Sequence, residues 1–208
     1  MKIKQLSFAI IAASCLSVSS SYAENMYVSA TLGNTEVDLG ISSGTGYTVD
    51  DDDASYGLNL GYKFSDSFSA EIGYQYLGEA SITATSNITG TAWGYAYTIN
   101  SGSTVAGEGD GFTFGIKGNY PVTENFDIYG KAGLLAWTVD YSISGTATVA
   151  GTTYTGSGSF DDDGSDLYYG VGAQYNFNDS VGLGIEYVNS EIADADTDTF
   201  NASLMVQF

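Results

Sequence analysis

The stretch Thr199-Phe200-Asn201-Ala202-Ser203-Leu204-Met205-Val206-Gln207-Phe208 decides the fold. Phe200, Ala202, Leu204, Val206 and Phe208 fall on one face of an extended strand, and Asn201, Ser203, Met205 and Gln207 fall on the other. Side chains alternate across a strand, so this segment is apolar on one side and polar on the other. About ten residues is also the length that a tilted strand needs to cross a bilayer. An amphipathic strand closing on Phe is the expected last strand of a bacterial outer-membrane barrel.

The same alternation recurs upstream. Val28, Ala30 and Leu32 oppose Tyr27, Ser29, Thr31 and Gly33. Tyr56 to Phe64 opposes Gly57, Asn59, Gly61 and Lys63 at every second residue. Phe68 to Tyr76 opposes Ser69, Glu71, Gly73 and Gln75 in the same way. Further rows begin at Phe112, Phe126, Leu167 and Val181. With the last strand these make eight, an even number as single-chain bacterial barrels require. The expected fold is all-β: an eight-stranded antiparallel up-and-down transmembrane β-barrel.

The connections support that reading. Short turns fall at Ser65-Asp66-Ser67, residues 121–125 and Asn178-Asp179. Long connections cover residues 38–53, 83–109 and 142–163, with a shorter one at 192–196. Short turns at one end and long loops at the other is the outer-membrane pattern. Tyr62, Phe64, Phe68, Tyr120, Phe126, Tyr175, Phe177 and Phe208 would form the girdle at the short-turn end. A soluble β-sandwich would carry Lys and Glu on its wet face. Here the polar rows are mostly Gly, Ser and Asn.

The chain opens on a targeting pattern. Lys2 and Lys4 precede an apolar run over residues 6–18, and Ser21-Tyr22-Ala23 is a small-x-small cleavage site. Residues 1–23 are therefore expected to be a signal peptide and 24–208 the barrel. Cys15 lies within the signal, with Ala12 where a lipid-attachment motif has an apolar residue such as Leu, so no lipidation is expected. The mature chain would hold no Cys, no His and no Arg. Its only cations would be Lys63, Lys117 and Lys131, against 25 Asp and Glu. Such a surface repels nucleic acid. No later run approaches the roughly 18 apolar residues of a membrane helix.

The stretch FTFGIKGNYPVTENFDIYGKAGLLAWTVD from Phe112 resembles the OmpA-like transmembrane domain family. GYKFSDSFSAEIGYQYLG from Gly61 and GVGAQYNFNDSVGLGIEYV from Gly170 resemble further turn-and-strand units of that family. In extent the chain is closer to the small stand-alone, OmpX-like barrels, and it is expected to lack the peptidoglycan-binding domain of full-length members. The resemblance implies an interior charge cluster viewed as a gate, carried here by Glu71, Lys117 and Glu186. The family's Arg on the last strand is missing. Lys131 matches a basic position on the fifth strand. It also implies that the terminal residues Leu204, Val206 and Phe208 are read by the barrel-assembly machinery.

The function expected is structural or interactive: envelope integrity, adhesion, colonisation or phage attachment through long loops outside the cell. The alternative is a narrow ion or small-solute channel gated by the interior cluster. Catalysis is not expected, because abundant Ser residues have no His base. No cofactor is expected, and the partners would be outer-membrane lipid, lipopolysaccharide and a host surface or phage, with the barrel a monomer. Oxygen-rich clusters suit Ca²⁺ or Mg²⁺. Asp194, Asp196 and Asp198 are weak candidates, since the Gly and Glu of an EF-hand loop are replaced by Thr199 and Met205. These and the runs at residues 50–53 and 161–163 are expected to form a solvated acidic rim.

Overall fold

The computed structural model describes residues 25–208. The signal peptide expected over residues 1–23 lies outside the described residues. Eleven strands run in chain order: β1 (Met26–Val37), β2 (Tyr47–Asp50), β3 (Asp52–Lys63), β4 (Phe68–Ala84), β5 (Ile88–Ala92), β6 (Tyr95–Ile99), β7 (Thr104–Pro121), β8 (Phe126–Val149), β9 (Thr152–Asn176), β10 (Val181–Ile192) and β11 (Ala195–Gln207). Eight close a ring of antiparallel neighbours, β1-β3-β4-β7-β8-β9-β10-β11, and β11 returns to β1 from Tyr27↔Gln207 to Val37↔Thr197. Closure pairs every barrel strand on both sides, which removes the open edge a membrane cannot tolerate.

The polarity of the wall follows the alternation. Leu32, Ile72, Phe114, Leu134, Val171, Ile185 and Phe200 are exposed on the outer face. Tyr27, Thr31, Ser69, Thr113, Lys117, Glu186 and Asn201 are buried on the inner one. On β9 and the residue that follows it, the outer row runs from Leu167 to Phe177. At about 3.3 Å per residue and a tilt near 40°, this row is about 25 Å tall, the height of an outer-membrane apolar band. The aromatic girdle sits at its short-turn end, where Phe64 stacks on Phe68 and Tyr175 meets Phe177 edge-on.

The segments read from sequence as long loops are largely strand. β2, β5 and β6 lie in them, and β7, β8 and β9 run through them. β8 and β9 stay paired without a break from Phe126↔Tyr175 to Val149↔Thr152. The part of β9 above Leu167 adds roughly 45 Å of strand. Gly, Ser and Thr are compatible with a sheet here because β-preference depends on packing against cross-strand neighbours more than on intrinsic bias.

The polarity inverts where the strands leave the band. On β8, Ile128, Ala132 and Leu134 face outward. Above them Thr138, Asp140, Ser142, Ser144, Thr146 and Thr148 take the same face, and Leu135, Trp137, Val139, Tyr141 and Ile143 point inward. Outer-face hydroxyls bond each other across the strands, Thr146 to Thr155 at 2.9 Å and Thr148 to Thr153 at 3.0 Å. On β4 a bulge between Tyr76 and Gly78 performs the change of face. Gly78 takes φ 93, a backbone open to glycine, and Leu77 turns into the lumen. The inversion has a simple cause. Lipid surrounds the outer face only within the membrane; above it that face meets water.

Trimming residues 143–160 is expected to leave the barrel intact. The ring below is held by pairs such as Leu134↔Leu167 and Phe114↔Leu134. Shortening a connection changes closure cost slowly, about 0.6 kcal/mol per doubling of length. The trimmed protein should retain the mobility shift between unboiled and boiled samples in SDS gels. The β5–β6 hairpin, which pairs with β8 at residues 147–149, should lose its anchor and become protease-sensitive.

Candidate functional site

The lumen has three zones. At the short-turn end lies a polar vestibule of about 440 Å³ lined by Lys63, Lys117, Asn119, Asp127, Gln174 and Asn176, among others. Gln174 donates to Asn176 (2.6 Å), which donates to Asp127 (2.7 Å). Lys63 donates to Gln207 across the β1 neighbourhood.

The middle zone holds the four charges named from sequence, all on inner-face positions. Lys131 Nζ lies 2.9 Å from Glu186 Oε1, and both side chains are more than nine-tenths buried. Glu186 also accepts from Tyr129 OH (3.2 Å) and Asn201 Nδ2 (3.3 Å). Glu71 accepts from Tyr27 OH at 2.6 Å, and Tyr27 also meets Ser69 at 2.9 Å. Lys117, implied by the resemblance to share a charge cluster with Glu71 and Glu186, instead meets aromatic rings and Gln174. Its Nζ sits 3.9 Å from the centroid of the Tyr129 ring and 5.6 Å from that of Tyr27, with Gln174 Oε1 at 3.5 Å. The physical reason is the pair of tyrosines: their rings fill the narrow lumen between Lys117 and the carboxylates and offer π-faces to the cation. The carboxylates keep the tyrosine hydroxyls as donors. Lys131, directly opposite Lys117 on the neighbouring strand β8, is the cation that reaches Glu186.

Glycine makes room for this arrangement. A Cβ on Gly172 would lie 2.3 Å from the Tyr129 ring and 2.7 Å from the Ile185 carbonyl oxygen. Gly172→Val should therefore displace Tyr129, which anchors both Glu186 and Lys117. A loss of about 1–3 kcal/mol in a urea midpoint is expected from overpacking of this kind.

The third zone lies toward the long-loop end and is apolar. Leu77, Leu135, Trp137, Val139, Tyr168, Val188 and Ile192 are buried together there. Trp137 Nε1 donates to Asp166 at 2.7 Å, which satisfies its one polar atom. Sequence reasoning missed this plug. Its signal was present: Leu134-Leu135-Ala136-Trp137 breaks the alternation, so apolar residues occupy both faces at the switch. Alternation along the strand places Tyr27 and Tyr129 inward but shows no role for either.

The remaining site residues lie elsewhere. Asp194 is in the β10–β11 turn at φ 64, and Asp196 and Asp198 face outward on β11. Asp198 accepts from Tyr187 OH (2.5 Å) and Asn189 Nδ2 (2.8 Å). The described residues hold no group of three or more His, Cys, Asp or Glu placed to take up a metal ion. Leu204 and Val206 pair with Ala30 and Val28 in the closing strand. The Phe208 amide donates to Met26 O at 3.0 Å, and its ring is half-buried.

Comparison with known proteins places this geometry. The sequence matches the outer membrane protein beta-barrel domain over residues 6–208. No curated protein matches it. Among solved structures it is similar to Ail, the attachment invasion locus protein of Yersinia pestis. That similarity has 14% identity and a TM-score of 0.50, over 89% of this chain and 99% of that one. It is also similar to the N-terminal beta-barrel domain of Pseudomonas aeruginosa OprF, at 10% identity and TM-score 0.50, over 89% of this chain and 99% of that one. At such identities the likeness concerns the fold. The closed ring of eight strands, the apolar outer band and the match along nearly the whole sequence together establish that the chain belongs to the outer membrane protein beta-barrel family and resides in the outer membrane.

Proposed function

We propose that the protein is a surface-interaction barrel: a closed membrane anchor that displays a β-sheet extension outside the cell, in adhesion, colonisation or envelope integrity. The observation that carries this reading is the β8–β9 hairpin, which continues far above the apolar band with its own ordered pairing. A chain that needed only an anchor could end its strands at the membrane surface. Whole cells expressing the full protein should bind host-surface preparations, and cells with residues 143–160 removed should not. Equal binding by the two would sink the reading.

The channel alternative is disfavoured by the lumen itself. Eight strands leave an interior that side chains fill, and here the outer third is filled by apolar ones. A non-enzymatic role is supported by the lack of a His base beside any Ser. Residues 1–23 act as the export signal, and the mature barrel works as a monomer among lipopolysaccharide and outer-membrane lipid.

In the same reading Leu204, Val206 and Phe208 serve the assembly machinery. Burying one Phe contributes only roughly 1.5–3 kcal/mol. Deleting Phe208 should thus reduce assembly in cells far more than refolding into detergent micelles. Equal losses in both assays would mean that it acts through stability alone.

A further inference from the structure

We infer that the concave inner face of the extension is a docking groove for a cationic amphipathic segment of a partner protein. This rests on the surface-interaction reading above and names the class of partner.

The groove has a volume of about 610 Å³ and is lined by Tyr47, Ile82, Ile99, Val105, Ile143 and Tyr154, among others. Ile82, Val105, Ile143 and Tyr154 continue the inward row of the barrel, and Tyr47 on β2 and Ile99 on β6 join their face through pairing with β4 and β8; the wall opposite ends at the short β10–β11 turn, so nothing among the described residues covers them. Ile143 remains 44% exposed and Tyr154 62%. Lipid cannot cover them either, because they lie above the band and face the axis. The outer face of the same sheet is hydroxyl-rich and internally bonded. An exposed apolar face of this extent on a soluble segment marks an interaction site.

Charge and location select the occupant. The end of the barrel that carries the groove is acidic: Asp38 and the run Asp50-Asp51-Asp52-Asp53 flank the segment with Tyr47, and on β9 Asp162 shares the inward face with Val139 while Asp161 and Asp163 face outward opposite Asp140 and Thr138. All three lysines of the described residues lie within the barrel, at the lower end of β3 and on the lower halves of β7 and β8. A polyanion or lipopolysaccharide phosphate is therefore repelled from the mouth. A second copy of the chain brings the same carboxylates and is repelled too. A small neutral apolar molecule has the bilayer directly beneath as a larger apolar sink. What remains is an apolar side chain row held in water by its own positive charges. The acidic end draws such a segment through its Lys or Arg at long range, while its apolar face fills the groove.

The test uses the full barrel in phosphatidylcholine nanodiscs, with no free detergent to occupy the groove. A labelled Lys/Leu amphipathic peptide is titrated and followed by fluorescence anisotropy. It should bind, and added salt should weaken it, as exposed charges are screened beyond about 10 Å at 0.1 M. Glu/Leu and Lys/Ser peptides should not bind. Ile99→Ser/Ile143→Ser/Tyr154→Ser should weaken the Lys/Leu peptide at least about tenfold, and Asp161→Asn/Asp162→Asn/Asp163→Asn about fivefold, at unchanged gel mobility shift. Equal affinity of the serine variant, or equal binding of the Glu/Leu peptide, overturns the proposal. So does a dimer in light scattering that the serine variant abolishes. Whole-cell binding separates the two levels. If the serine variant binds host surfaces normally while the hairpin deletion does not, the groove is wrong and the surface role stands. If neither change matters, both fail.

Discussion

Lys131→Met should strongly destabilise the barrel, and Lys117→Met only mildly. Lys131 is the cation within salt-bridge distance of Glu186, and the pair is almost fully enclosed. Removing it leaves a buried carboxylate with only Tyr129 and Asn201 as donors. Breaking a buried pair this way costs about 3–5 kcal/mol. Lys117 loses a ring contact and a long bond to Gln174, and a cation–π contact contributes only about 0.5–2 kcal/mol. Urea unfolding of the refolded barrel measures both. A partial recovery of the midpoint in Lys131→Met/Glu186→Gln would locate the cost in the orphaned carboxylate, since coupled residues are non-additive. Equal midpoints for Lys131→Met and Lys117→Met would show that the charge pair contributes nothing particular to stability.

Trp137→Ala should have an effect of similar size, and a functional signature besides. Trp137 is the largest side chain of the apolar plug, and its indole satisfies Asp166. Truncating a buried Trp costs about 3–5 kcal/mol. Gly164, the cross-strand partner of Trp137, lies directly against the ring, where a Cβ would come within 2.4 Å of it, so the residue opposite has no side chain to fill the space. In planar bilayers the wild type should be silent. Lys131→Met should remain silent, because the plug closes the outer third of the lumen independently of the charges. Brief openings should appear in Trp137→Ala. Conductance in Lys131→Met but not in Trp137→Ala would restore the charge cluster as the gate.

Much of this protein was legible because a strand's period is two and its faces are therefore local. Whether Glu71, Lys117 or Lys131 points inward depends only on its neighbours along the chain. The number of membrane-crossing rows, the short turns and the aromatic ends follow from the same periodicity. The extension was harder to read. Its strands also alternate, from Val139 to Val149 and again across Phe160, but with the polarity reversed and with Gly, Ser and Thr in the outward places. Without knowing where the membrane surface falls, such a segment resembles loop. The bulge at Leu77–Gly78 that changes the face of β4 depends on the pairing with β7, which no single strand reveals.

The sequence by itself determined an amphipathic barrel in the outer membrane and the inward placement of its charges. Only the tertiary structure decided which charges meet. Contact across a lumen depends on the stagger between strands far apart in the chain and on which side chains fill the space between them. Tyr27 and Tyr129 occupy that space, so Lys117 faces rings while Lys131 reaches Glu186. The same closure also decided that the apolar residues above the band share one concave face, because distant strands curve toward each other only once the ring is formed.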